Sequence, residues 1–185
     1  MSRQGFQETL ISSQVDGTAL TAAAAASCLP GAAKFVLPAN YFEIGRQLRI
    51  TASGRISCAV TTPGTGRFDV RFGSVVVFDS LAFNLNVVAK TSVGWWLEIL
   101  LTCRAIGAST SANLMGQGKF TSEANVGAPV PGTGGSTTQI LPISTAPAVG
   151  TGFDSTASQA IDLYWTQTVA TGSLTLHQYL VESLN

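Results

Sequence analysis

The 185-residue chain balances ten Lys and Arg against ten Asp and Glu, together only 11% of its residues, while 45% are hydrophobic. A neutral balance lacks the basic stripe that a nucleic-acid surface needs, and the Ala-rich run at residues 22–26 is too short to cross a membrane. With charge well below the usual ~25%, the surface of a chain of one-domain length must be covered by Ser and Thr, both abundant, and by burial between subunits.

Residues 1–17 form an N-terminal arm distinct in pattern from the rest of the chain. Phe6, Leu10, Ile11 and Val15 stand among polar residues, and Asp16-Gly17 closes the segment with a turn signal. Such a terminus is either a disordered tail or an arm that those four apolar residues dock on a partner surface. The first eight residues show no secretory signal, so synthesis and folding in a cytoplasm are expected.

Residues 18–185 are predicted to form a single β-sandwich domain. Short strands are expected near 19–24 and at 34–37. In residues 47–53, Leu48, Ile50 and Ala52 alternate with Gln47, Arg49, Thr51 and Ser53, the period of a half-buried strand. Residues 67–72 repeat this with Phe68, Val70 and Phe72 on one face and Arg67, Asp69 and Arg71 on the other. Gly73-Ser74 turns that strand into 75–78, a hairpin. Residues 95–106 are apolar on both faces apart from Glu98, Thr102 and Arg104, which predicts a central strand covered on both sides. Strands at 119–124, 139–143, 160–168 and 173–184 complete the set, with Gly/Pro loops at 127–135 and 145–152. Eight to ten antiparallel strands without a long amphipathic helix predict an all-β, jelly-roll-like β-sandwich with an extended N-terminal arm.

Catalytic chemistry finds little to build on. His177 is the sole histidine, and it falls within a strand pattern, where a surface or interface role is expected. Asp69 and Asp79 can approach across the hairpin, but at strand positions rather than on the loops that usually carry acid/base pairs. Cys28, Cys58 and Cys103 have neither C-x-x-C spacing nor histidine partners, so buried reduced thiols are expected and zinc is not. Gly64-Thr65-Gly66 and Gly116-Gln117-Gly118 lack the lysine and helix of a phosphate loop. The chain is read as a non-enzyme without cofactor or metal.

Aromatic residues remain. Trp95, Trp96, Tyr164 and Trp165 lie on two strands expected to be neighbours, and successive strand residues point to opposite faces. One of Trp95 and Trp96 must enter the core and the other leave it. An outward tryptophan on a poorly charged sheet suits a subunit interface, a sugar platform or a second core layer. These four residues are the candidate subunit interface.

Residues 29–57 (LPGAAKFVLPANYFEIGRQLRITASGRIS), 67–80 (RFDVRFGSVVVFDS), 95–107 (WWLEILLTCRAIG) and 113–124 (NLMGQGKFTSEA) resemble small virion structural proteins of tailed bacteriophages of actinobacteria, of the head decoration or minor capsid type. The resemblance implies a jelly roll, a homotrimer and attachment to the major capsid protein on the outside of an assembled head. Phe6, Leu10, Ile11 and Val15 are then the candidate capsid-contact arm. No catalytic motif comes with the resemblance. The expected role is a decoration protein in the virion that stabilises the shell, with a tail or fibre component binding a host-surface glycan as the alternative.

Overall fold

Period-two alternation of buried and exposed side chains runs through the long strands of the computed structural model, which describes residues 7–59, 62–126 and 135–185. Among those residues the strands are β1 (Glu8–Ser12), β2 (Ala25–Ser27), β3 (Phe35–Leu37), β4 (Gln47–Cys58), β5 (Thr65–Phe72), β6 (Val75–Asp79), β7 (Phe83–Asn84), β8 (Lys90–Ala105), β9 (Asn113–Ser122), β10 (Thr137–Leu141), β11 (Gln159–Gln167) and β12 (Ser173–Ser183). The helical content described is one 3-10 turn at Gly31–Ala33.

Two antiparallel sheets pack face to face. The larger has the order β1-β12-β4-β8-β9-β10, and the smaller β2-β11-β5-β6, with β3 also on β11 and β7 on β5. The pairings are nested: β1 with β12, β2 with β11, β4 with β8, β5 with β6. That is one long hairpin rolled into a sandwich, the jelly-roll connection, with the β9–β10 hairpin added at one edge of the larger sheet. The all-β sandwich expected from the alternation is therefore present.

The core is aromatic. Phe68 of β5 lies with its ring centroid 4.7 Å from Trp165 of β11, 5.5 Å from Trp95 of β8 and 5.2 Å from Phe120 of β9, so one side chain ties the two sheets together. Phe42, Phe72 and Phe153 form a second group at 4.9–5.6 Å. Such ring pairs add to the burial that drives the sheets together.

Several elements differ from the sequence reading. Residues 8–12 of the expected arm belong to the sandwich: β1 pairs with β12 from Glu8↔Ser183 to Ser12↔Leu180, and Leu10 and Ile11 pack half-buried on the core. The chain then follows β12 through Ser13 N–H to Tyr179 O and Gly17 N–H to Leu176 O, both 2.8–2.9 Å. The strand expected near 19–24 is a single bridge, Leu20 with Leu174, followed by β2. β8 begins at Lys90 and continues through Gly94. Cover on both sides was expected for this strand; it is covered on one. Trp95, Leu97, Ile99, Leu101 and Cys103 are buried, whereas Trp96 and Leu100 are exposed. The smaller sheet covers only the inner face, and the described residues place nothing over the outer one.

His177 owes its position to a bulge. The β4–β12 register slips between Leu176 and Gln178, leaving His177 as the extra residue, so that Leu174, Leu176, Tyr179 and Val181 all face the core despite the change of phase. Gly54 stands opposite the bulge, where a Cβ would lie 2.0 Å from the Thr175 carbonyl oxygen.

Candidate functional site: the outer face of the larger sheet

Register places the outward side chains of the larger sheet in rows. One row reads Gln178, Ser53, Trp96, Thr121 and Thr138 across β12, β4, β8, β9 and β10. The next reads Leu180, Thr51, Glu98, Lys119 and Ile140, and a third Glu182, Arg49, Leu100 and Gln117. Trp96 is 45% exposed, at the middle of its row.

Two ion pairs lie on this face, while Arg55 of β4, opposite Gly94, and Arg104 of β8 are exposed. Lys119 Nζ lies 3.2 Å from Glu98, and Arg49 Nε donates to Glu182 Oε2 at 2.8 Å. That hydrogen bond, helped by the nearby Gln7 amide, holds the Glu182 carboxyl below the ordinary glutamate value. The Trp96 row itself carries hydroxyls and amides: Ser53 Oγ donates to Gln178 Oε1 at 3.3 Å, and the Thr121 and Thr138 hydroxyls are 2.7 Å apart.

Two shallow depressions flank the indole. One, of about 300 Å³, is lined by Ser12, Ser13, Thr51, Ser53, Trp96 and Gln178 with Leu180. The other, of about 340 Å³, lies between Gly94, Trp96, Thr121, Glu123 and Ser136. A third, of about 250 Å³, sits at Leu100, Gln117, Lys119 and Ile140.

The four aromatic candidates are not one patch. Trp95 and Trp165 are buried on the inner faces of different sheets, each against Phe68, so β8 and β11 are not neighbours. Tyr164 is on the outer face of the smaller sheet, under the Arg71 guanidinium at 3.8 Å from the ring centroid. Trp96 alone of the four is well exposed. Leu100 and Ile140 are the exposed partners that the sequence reading missed. An apolar residue at an outward position of a strand looks the same in sequence as one in a second core layer.

Of the arm candidates, Val15 is exposed, Leu10 and Ile11 are half-buried in β1, and Phe6 lies outside the described residues.

The smaller sheet's outer face is a charged network. Arg67 grips Asp79 with two bonds of 2.7 and 2.6 Å, Arg71 grips Asp69, and Lys34 reaches Asp162 at 2.7 Å. Asp69 and Asp79 stand directly opposite each other, each neutralised by its own arginine, so neither is placed to move a proton to a substrate. His177 Nδ1 meets Asp16 at 2.9 Å on the surface. Cys28, Cys58 and Cys103 are buried and free. Among the described residues, no three His, Cys, Asp or Glu side chains gather as metal ligands, and no helix is long and apolar enough to cross a membrane.

No protein-family model and no curated protein matches the chain. Among solved structures it is similar to the CBM2 module of the evolved Dit of Lactobacillus casei BL23 phage J-1, at 10% identity over 99% of both chains. The TM-score is 0.31, too low to carry a fold or a role across.

Proposed function

We propose that the chain is a structural protein of a bacteriophage virion, of the head decoration kind, which acts by binding and not by catalysis. It assembles as a homotrimer, attaches to the major capsid protein on the outside of the head and stabilises the shell. The observation that carries this reading is the outer face of the larger sheet: a rigid surface on which Leu100 and Ile140 are exposed while the charges beside them are already paired. A face of this kind gains by covering apolar surface, and the paired charges around Leu100 and Ile140 need no partner of their own. The resemblance of residues 29–57, 67–80, 95–107 and 113–124 to virion proteins supports the same reading. A protein that binds only the assembled shell stabilises it by mass action.

Cosedimentation of the purified protein with phage heads lacking it is the test. Saturable binding to heads, with light scattering giving three 19.2 kDa chains per particle in solution, is expected. Failure to bind heads overturns the attachment, and a monomeric mass overturns the trimer.

A further inference from the structure

The Trp96 row has a chemistry that attachment to a protein shell does not use. Its depression toward β1 is walled by the indole and by the side chains of Ser12, Ser13, Thr51, Ser53 and Gln178, without a formal charge. Among the described residues, no side-chain hydrogen bond occupies the hydroxyls of Ser12 and Thr51, and the Gln178 carbonyl accepts from Ser53 while its NH₂ stays free to donate. Trp96 Nε1 has no partner among them either.

We propose that this row is a binding subsite for a neutral carbohydrate. A pyranose ring has an apolar face of C–H groups and a rim of hydroxyls. The face stacks on an indole, and the rim exchanges hydrogen bonds with neutral donors and acceptors. Trp96 supplies the first surface, and the ring of hydroxyls and the Gln178 amide supply the second. The two depressions on either side of the indole, about 300 and 340 Å³, let a chain of at least two sugar units straddle it.

Other occupants fit less well. A nucleic acid needs a track of unpaired Lys and Arg beside the aromatic ring; of the two basic residues one row away on this face, Lys119 is paired with Glu98 and Arg55 stands singly, opposite Gly94. An acidic polymer would be repelled by Glu123, which lines the second depression. A second copy of the chain would cover Leu100 and Ile140, one or two rows away, more profitably than hydroxyls. Placement on the central strand β8, between β4 and β9, holds the indole without a mobile loop, so little order is lost on binding. The inference goes beyond attachment to a particle and applies equally to a head or a tail location.

The test uses the isolated full-length protein on an array of neutral and acidic oligosaccharides, followed by titration of the strongest neutral ligand. Trp96 is the exposed one of three tryptophans, so its fluorescence should shift on binding and Trp96→Phe should abolish the shift. Trp96→Ala should weaken binding about tenfold or more, and Gln178→Ala several-fold. Near-ultraviolet circular dichroism confirms that each variant is folded, and Thr51→Val supplies a second probe should Trp96→Ala fail to fold. Binding of acidic glycans only, no binding at all, or neutral-glycan binding indifferent to Trp96, Gln178 and Thr51 would overturn the proposal. So would a change of oligomer mass in Trp96→Ala, which would mark the row as an interface between copies. Head binding is measured separately, so the two readings fail independently.

Discussion

Trp95 and Trp96 are consecutive in β8 and stand on opposite sides of the larger sheet, Trp95 3% exposed against Phe68 and Trp96 45% exposed among hydroxyls. Their different surroundings set opposite consequences for substitution. Trp95→Ala removes a ring from the cluster joining the sheets and is expected to cost about 3 to 5 kcal/mol. Trp96→Ala should cost less than about 1 kcal/mol. Trp95→Phe should fall between them, because the Trp95 N–H has no hydrogen-bond partner among the described residues to lose. Urea unfolding of the three variants checks the order; equal losses for Trp95→Ala and Trp96→Ala would contradict the assignment of faces.

Gly66 of β5 makes room for the core tryptophan of the neighbouring strand β11. A Cβ there would lie 2.0 Å from Trp165 Cη2, inside any permitted contact. Gly66→Ala must displace the indole and with it Phe68, at a cost of about 2 to 3 kcal/mol. A lowered melting temperature with altered near-ultraviolet dichroism is the expected result. Retention of both would place Trp165 elsewhere.

Much of this architecture was legible in the sequence, for identifiable reasons. β4 and β5 each bury one face, so Leu48, Ile50, Phe68 and Val70 alternate visibly with Arg49, Thr51, Arg67 and Asp69. Gly73-Ser74 announces the hairpin that β5 forms with β6. The short strands β2, β3 and β7 hold too few residues to show a period. The pairing of β1 with β12 is set by a contact between segments far apart in the chain, which no local pattern encodes. That one of Trp95 and Trp96 must leave the core followed from strand geometry. That Trp165 and Trp95 would meet the same Phe68 from different sheets, while Tyr164 left on the far side, depended on the order of strands in two sheets. The exposure of Leu100 was hidden because its side chain matches those of the core.

Acid should loosen the pairing of β4 with β12. Arg49 donates to Glu182 and depresses its pKa, so the folded state binds fewer protons than the unfolded one near the glutamate pKa of about 4.3. The stability this pair contributes is complete above that value and is lost as pH falls through the lower, folded pKa. Glu182→Gln should flatten the fall in stability below about pH 4.3 without steepening it elsewhere. Asp154, held low first by the Thr156 hydroxyl and then by backbone N–H groups, leaves part of the slope in place. Urea midpoints measured from neutral pH down through the glutamate range read this directly, and an unchanged acid limb in Glu182→Gln would refute the pairing.

Burial pushes the Cys28, Cys58 and Cys103 thiols above their ordinary values, Cys28 most strongly. Thiolate is the reactive form. The native protein should therefore resist a disulfide reagent such as Ellman's, with three equivalents released on unfolding in denaturant. Rapid reaction of the native protein would mean that at least one thiol is open to solvent.

Cryo-electron microscopy of the virion that carries this protein decides whether it decorates the head. Trimeric density is expected on the outer surface of the head, into which the two-sheet jelly roll fits with Leu100 and Ile140 covered by a neighbouring protein. A head surface bare of such density would contradict that placement.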